Sequence, residues 1–216
     1  MIVAACHGIG TQRPGWSEGV RQRLGHPKAE WREINWQYAI ENETFRLKSD
    51  PAKKTGIVGG VFNTSVYDAI FYGRSRTQQD IQHAVRLQLR AIGEPCILIA
   101  HSLGSIIVSD LLFENGIAVK KLITMGSPLR GYILGRFGEN VEGYVPPAVT
   151  GGWTNLIDPK DVVGTSLSDL IPIVTDEVVH NRRWSHTLRP LSRLVYHHTG
   201  YWEHPALLKS IHEGLA

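Results

Sequence analysis

The run from Cys96 to Ile107 constrains the fold more than any other part of the sequence. Residues 97–100 are four consecutive apolar residues, which is typical of a buried parallel strand. Apolar residues then recur at helical spacing, at Ile106, Ile107, Leu111 and Leu112. We therefore predict a strand, a tight turn at Ser102, and a helix that stops near Asn115-Gly116.

Ser102 is the candidate nucleophile of this turn. A serine hydroxyl is a poor nucleophile, so hydrolases expose it on a tight turn, beside a general base and at the positive end of a helix. Small residues two before and two after the serine allow strand and helix to approach closely, and Ala100 and Gly104 fill those places. Glycine is usual at the first of them, so Ala100 is a departure. The alternative is an ordinary serine in a strand-to-helix turn.

Two aspartates follow the predicted strand Trp153–Ile157 and are candidates for the acid that orients a base. Asp161 precedes Val162-Val163, which we expect to anchor the loop under the sheet. Asp158 lies at the strand edge and precedes Pro159. We favour Asp161 over Asp158, and a solvated loop carboxylate is the alternative for either.

The candidate base lies in His197-His198, shortly before a predicted terminal helix over Pro205–His212. The order Ser, Asp, His is the chain order of α/β-hydrolase triads. We favour His198 over His197, because a loop there can lean across the sheet edge. His186 is a less favoured candidate, and His101 is expected to point elsewhere because it adjoins the serine on a tight turn.

An acyl-transfer site also needs two backbone N–H groups for the developing oxyanion. We predict that Leu103, directly after the serine, supplies one of them. The second is expected from Ile9, in the run His7-Gly8-Ile9-Gly10 that follows the first predicted strand. His7, Gly8 and His101 are predicted to contact the substrate. A simple glycine-rich turn is the alternative for this run.

Strands and helices alternate along much of the chain, which predicts one α/β domain over residues 1–216 with a mostly parallel sheet flanked by helices. Further strands are predicted at Ile2–Cys6, Trp31–Tyr38, Lys121–Met125 and, more weakly, Ile173–His180. Thr77, with Asp80 three residues later, is expected to cap a helix with an apolar stripe of Ile81, Ala84, Val85, Leu89 and Ile92. The segment Gly126–Gly152 is predicted to be a loop or a small cap.

Composition limits the partners and the compartment. A net charge of +3 is too small to indicate nucleic-acid binding, and a local group of arginines (182, 183, 189 and 193) is interpreted as a solvated face. Cys6 and Cys96 fall in predicted buried strands, which favours free thiols in a reducing compartment. The sequence begins without a basic leader and contains no apolar run of about 18 residues. We expect a cytoplasmic protein with no membrane span, no metal and no cofactor, and the oligomeric state stays open.

Taken together, the segments His7–Gly10, Ala100–Gly104, Asp161–Val163 and His198–Trp202 resemble α/β-hydrolase-fold serine esterases of the small bacterial lipase kind. The resemblance implies an α/β-hydrolase fold and a small-molecule ester as substrate. Only a handful of residues precede the predicted oxyanion segment, so we expect a reduced form of this fold without its two leading strands. It implies Ser102 as nucleophile, Asp161 as acid and His198 as base. A thioesterase or acyltransferase with the same triad, and a non-catalytic hydrolase-like binding module, are the alternatives.

No large helical cap is expected between Ser102 and Asp161, because the segment Gly126–Gly152 is short and rich in glycine and proline, so we expect esters of short to medium acyl chains. Residues 11–30, 40–76 and 127–150 are expected to shape the pocket. Gly56–Phe62 is interpreted as a small apolar lid or a buried packing segment.

Overall fold

A parallel sheet of six strands forms the centre of the described chain. The computed structural model describes residues 1–8, 14–26, 29–36, 75–138, 141, 144–181 and 197–216. The strands are β1 (Ile2–Cys6), β2 (Glu30–Ile34), β3 (Cys96–His101), β4 (Val119–Met125), β5 (Trp153–Ile157) and β6 (Val174–Val178). Their order is β2-β1-β3-β4-β5-β6, and each neighbouring pair is parallel.

Helices cover both faces of this sheet, as an all-parallel sheet requires. The helices are α1 (Glu18–Leu24), α2 (Ser75–Arg90), α3 (Leu103–Leu111), α4 (Leu129–Phe137) and α5 (Pro205–Leu215), with a 3₁₀ helix over Gly200–Glu203. On one face α2, α3 and α4 pack in a core with Ile2, Ala4 and Cys6 of β1. On the other face α1 and α5 pack with Val3 and Ala5 of the same strand. The predicted reduced α/β-hydrolase fold is confirmed.

Strand β2 and helix α2 differ from their predicted bounds, and the terminal helix α5 extends three residues beyond the predicted His212. Strand β2 ends at Ile34 because Ile34 pairs with Cys6, the last residue of its neighbour β1. Trp36 is buried beyond the strand, and Tyr38 lies outside the described residues. Helix α2 begins at Ser75, so Thr77 lies within its first turn and not at the position before the helix.

The apolar stripe of α2 is partly as predicted. Ile81, Val85 and Leu89 are buried, whereas Ala84 and Ile92 are half-buried.

Two helices went unpredicted, and one ends earlier than expected. Helix α4 occupies part of the segment predicted as a loop or small cap, and α1 precedes β2. Helix α3 ends at Leu111, four residues before the expected stop. Strands β1 and β5 have the predicted bounds, β4 begins two residues earlier than predicted, and β6 is shorter than predicted at both ends.

Several predictions fall outside the described residues: Ile9, the segment Gly56–Phe62, His186 and the four arginines. Cys6 and Cys96 are buried as free thiols in β1 and β3, and burial raises the pKa of each to about 12. Within the described ranges, no helix has the length and apolar character needed to cross a membrane.

Candidate active site

The site lies where the strand order of the sheet reverses. The chain runs outward from β1 to β2, returns to β3 on the other side of β1, and continues outward to β6. Clefts in open parallel sheets form at the carboxyl ends of the strands beside such a reversal. His7 and Gly8 follow the end of β1, and Ser102 follows the end of β3. The reversal therefore brings the predicted oxyanion segment next to the predicted nucleophile.

Ser102 has a strained backbone on the turn between β3 and α3. Its φ is 54° and its ψ is −128°, and within the described ranges it is the one non-glycine residue with a positive φ. Such a conformation costs about 1–3 kcal/mol and persists only where the surroundings impose it. Here the Ser102 N–H donates to the carbonyl of Met125 at 3.1 Å, and the Ser105 hydroxyl donates to the Ser102 carbonyl at 2.6 Å.

Close backbone contacts explain the small residues around this turn. A Cβ atom at Gly104 would lie 2.5 Å from the carbonyl oxygen of His7. A Cβ atom at Gly8 would lie 2.5 Å from the Cβ of Ser102. Since both distances are below any ordinary contact, glycine at these positions lets the end of β1 touch the turn directly.

Ser102, His198 and Asp161 form a continuous hydrogen-bonded chain. The Ser102 Oγ lies 2.9 Å from His198 Nε2. The Nδ1 of the same ring lies 3.1 Å and 3.0 Å from Oδ1 and Oδ2 of Asp161. Because an ionised carboxylate only accepts, Nδ1 carries a proton, and in the neutral ring Nε2 is then the acceptor for the serine hydroxyl. The structure thus brings together the three residues favoured from the sequence.

Asp161 is a buried carboxylate with its own set of donors. The backbone N–H of Val163 donates to Oδ1 at 3.0 Å, and the Tyr201 hydroxyl donates to Oδ2 at 2.9 Å. Burial raises the pKa of Asp161, but the hydrogen bonds from His198, Val163 and Tyr201, with the His198 charge, outweigh burial and hold that pKa below its usual value. Asp161 therefore stays an anion that accepts from the imidazole.

The expectation that Val162 and Val163 anchor the loop under the sheet is wrong for Val162, which is 62% exposed, whereas Val163 is half-buried. Glycines pack against the carboxylate instead. A Cβ atom at Gly126 would lie 2.9 Å from Asp161 Oδ2, and one at Gly164 would lie 3.1 Å from it.

Asp158 and His197 form a second pair beside the first, in which Asp158 is buried and His197 is half-buried. His197 Nδ1 lies 2.8 Å from Asp158 Oδ2, which also accepts the N–H of Asn181 at 2.9 Å. The Lys160 N–H donates to Oδ1 at 2.9 Å. Asp158 is thus not a solvated loop carboxylate, and its donors tie together three parts of the chain. Of the two adjacent histidines, His198 is the one that hydrogen-bonds Ser102.

His101 lies behind the candidate base. Its Nε2–H donates to the carbonyl of His198 at 2.7 Å, and the two rings are 4.8 Å apart at their centroids. Burial, together with the charge of His198, lowers the pKa of His101 to about 3. It is therefore a neutral ring that fixes the backbone of His198.

His7, which follows the end of β1, lies among aromatic rings. It stacks on Trp36 at 5.1 Å and meets the edge of Trp16 at 5.6 Å, and its carbonyl accepts from the Trp36 indole at 3.1 Å. Burial lowers the pKa of His7 to about 4, so the ring is neutral. The His7 Nε2 atom is buried without a hydrogen-bond partner among the described residues.

Leu103 begins α3, where the first N–H groups have no hydrogen-bond partner within the helix.

The residue that sequence reasoning missed is Tyr201, which lies within the segment His198–Trp202. Tyr201 is fully buried, and its hydroxyl bonds both Asp161 and the N–H of Asp158. The sequence did contain a signal for Tyr201. Residues three apart on a helical turn share a face, and His198 and Tyr201 have this spacing.

Among the residues described, no group of three or more His, Cys, Asp or Glu is arranged to hold a metal ion.

Comparisons with known proteins do not assign this chain to a family. No protein-family model matches the sequence, and no curated protein matches it either. Among solved structures, it is similar to a predicted CIB-like hydrolase from Thermoplasma acidophilum, with 13% identity and a TM-score of 0.45. The alignment covers 96% of this chain and 84% of that one. The fold assignment therefore rests on the strand order of the chain itself.

Proposed function

We propose that this protein is a serine hydrolase that cleaves carboxylic esters through an acyl-enzyme. The observation that carries the proposal is the hydrogen-bonded chain from Ser102 Oγ through His198 to Asp161, on a turn where the serine has a φ of 54°. An activated serine needs a base within about 2.6–3.2 Å and a third group that orients the base. The distances of 2.9 Å and 3.0 Å meet both requirements.

In the proposed reaction, Ser102 Oγ attacks the ester carbonyl while His198 Nε2 takes the serine proton. Asp161 holds the ring by its Nδ1–H and stabilises the imidazolium that forms. The tetrahedral intermediate collapses as His198 returns the proton to the leaving alcohol. Water then attacks the acyl-serine with the same base, which releases the acid and restores Ser102.

The oxyanion of the tetrahedral intermediate needs backbone N–H donors that are separate from the base His198. We assign one of them to the Leu103 N–H, at the start of α3, and the second to Ile9. The substrate would pass beside His7 and Gly8, since Gly8 borders the Ser102 side chain. We also propose that His101 contacts the substrate. The contact would use ring atoms other than Nε2, which is hydrogen-bonded to the His198 carbonyl.

We propose esters of short to medium acyl chains as substrates, because the segments between the motifs are short and rich in glycine. A modest pocket suits such esters, whereas long-chain lipids need a larger apolar surface. A cytoplasmic location accompanies this proposal and is supported by the two buried free thiols.

A fluorophosphonate probe tests the proposal, since it reacts only with an activated serine. We expect wild-type protein to be labelled and to hydrolyse p-nitrophenyl esters, and Ser102→Ala to lose the label and at least about 10⁴-fold in rate. Ser109→Ala is the matched control, because Ser109 is another buried serine of α3 whose hydroxyl bonds the Ile106 carbonyl. Labelling of Ser102→Ala, or no labelling of the folded wild type, would contradict the proposal.

A substrate panel then separates related activities. Acetate, butyrate, octanoate and palmitate esters test the acyl preference, and the matching acyl thioesters test the thioesterase alternative. A rate that rises sharply above the solubility limit of the ester would contradict the proposed preference.

A further inference from the structure

The two aspartate–histidine pairs meet at one buried hydroxyl group. Asp158 and Asp161 are three residues apart in the loop after β5, and His197 and His198 are adjacent in the turn that leads to the 3₁₀ helix. Tyr201 lies between the pairs. Its hydroxyl accepts the backbone N–H of Asp158 at 2.8 Å and donates to Asp161 Oδ2 at 2.9 Å.

These two bonds fix the direction of the Tyr201 proton. The Asp158 N–H occupies an acceptor position on the phenol oxygen, and Asp161 as a carboxylate offers no proton in return. The O–H must therefore point at Asp161. Burial and the Asp161 charge also raise the pKa of Tyr201, which keeps the hydroxyl protonated and able to donate.

The surroundings leave this hydroxyl little freedom. Tyr201 is fully buried. A Cβ atom at Gly164 would lie 3.1 Å from its oxygen, and one at Gly126 would lie 3.0 Å from the ring. The ring therefore lies against backbone beside Asp161, and the carboxylate meets Tyr201 at one oxygen and Val163 at the other.

We propose that Tyr201 is a positioning residue, whose hydroxyl holds the Asp161 carboxylate in the orientation that accepts from His198 Nδ1. The inference rests on the proposed function for its catalytic consequence, but the positioning itself is a property of the folded protein. Without the hydroxyl, Asp161 Oδ2 loses a donor and the Asp158 N–H loses its buried acceptor. The carboxylate can then turn away from the imidazole, and the base loses its orientation.

The first test is kinetic, with Tyr201→Phe compared with Ser109→Ala. Ser109 is a suitable control because it is another buried residue whose hydroxyl donates a hydrogen bond, to the Ile106 carbonyl at 2.8 Å. Loss of a hydrogen bond to a charged group predicts a fall in kcat of about 10-fold or more in Tyr201→Phe, with KM within about twofold of wild type. Ser109→Ala should leave both unchanged. Equal losses in the two variants, or a loss confined to KM, would overturn the proposal.

The second test does not depend on activity. Histidine Nδ1 protons bound to carboxylates give downfield ¹H NMR signals, and the described part of the chain has two such protons, at His197 and His198. His197→Gln removes one and Asp161→Asn removes the other, which assigns them. We expect Tyr201→Phe to shift or broaden the His198 signal and Ser109→Ala to leave it in place. An unchanged signal in folded Tyr201→Phe would overturn the positioning role, whether or not the wild type hydrolyses esters.

The two failures can thus be told apart. A wild type that is not labelled by fluorophosphonate, but whose His198 signal moves in Tyr201→Phe, contradicts the esterase proposal and supports the positioning role. If Tyr201→Phe does not fold, the wild type still decides. A slowly exchanging Tyr201 hydroxyl proton with a nuclear Overhauser effect to the Asp158 amide proton supports the role, and its absence overturns it.

Discussion

Replacing Gly104 with alanine tests the close approach of helix and strand on which the site depends. A Cβ atom there would lie 2.5 Å from the His7 carbonyl oxygen, 2.9 Å from that of Cys6 and 3.0 Å from the His7 carbonyl carbon. All three are backbone atoms, so no side chain can rotate away. Reaching even a tight 3.4 Å contact requires a movement of ~0.9 Å between α3 and the end of β1.

Overpacking of this kind costs about 1–3 kcal/mol of unfolding free energy. The movement also displaces Ser102, which is two residues before Gly104, relative to His198. A misplacement of about 1 Å can reduce a rate by about 100-fold. Gly104→Ala should therefore lose stability and, where it remains folded, most of its esterase activity.

Gly131→Ala is the matched control. Gly131 lies in α4, where a Cβ atom would meet nothing within 4 Å, and its φ is not positive. Alanine replaces glycine in a helix with a gain of up to about 1 kcal/mol, so this variant should be as stable as wild type or more stable. Urea denaturation followed by circular dichroism measures both. Wild-type stability and full activity in Gly104→Ala would refute the reasoning, as would equal destabilisation in Gly131→Ala.

Two further predictions concern the histidines and aspartates. His198→Gln and Asp161→Asn should lower kcat by about 10³-fold or more, whereas His197→Gln and Asp158→Asn should mainly lower the urea midpoint; the opposite order in either set would move the role to the neighbour. Because the pKa values of His7 and His101 are lowered to about 4 and about 3, the unfolded chain takes up protons that the folded protein does not, and stability should fall as the pH drops below about 6.5. Each group adds a slope of up to about 1.4 kcal/mol per pH unit, so His101→Gln should flatten the urea-derived stability curve between pH 4 and 6; parallel curves would count against the assignment.

The strongly patterned elements could be predicted from sequence because their burial leaves a plain signal. Strands β1 and β3 are buried on both faces, so they appear as uninterrupted apolar runs. Helices α1 and α4 lack that signal. In α4 the two buried side chains are Leu129 and Ile133, and in α1 they are Val20 and Leu24. Ser17 precedes α1 but does not cap it, because its hydroxyl donates to Glu33 instead.

The chain order Ser, Asp, His of the site residues could be predicted, but which aspartate binds which histidine could not be derived from the sequence. Two aspartates three residues apart face two adjacent histidines, and each aspartate binds one histidine. A sequence does not specify which pair reaches Ser102, because the choice depends on how one turn is rotated against one loop. The Asp158 N–H, the Tyr201 hydroxyl and the His101 imidazole set that rotation, through contacts between residues 43 and 97 positions apart.

The geometry of the site depends on backbone crowding as much as on polar side chains. The strained φ of Ser102 needs support from its surroundings, and that support comes from the Met125 carbonyl, the Ser105 hydroxyl and the contact with Gly8. On the acid side, Gly126, with a φ of 54°, brings backbone within contact of the Asp161 carboxylate. A methyl group added at either glycine would push directly on a group of the hydrogen-bonded chain. The glycines beside the nucleophile and the acid therefore help to set the same interatomic distances that the hydrogen bonds of Ser102, His198 and Asp161 require. This shared requirement is why the glycines and the polar residues occur together in this chain.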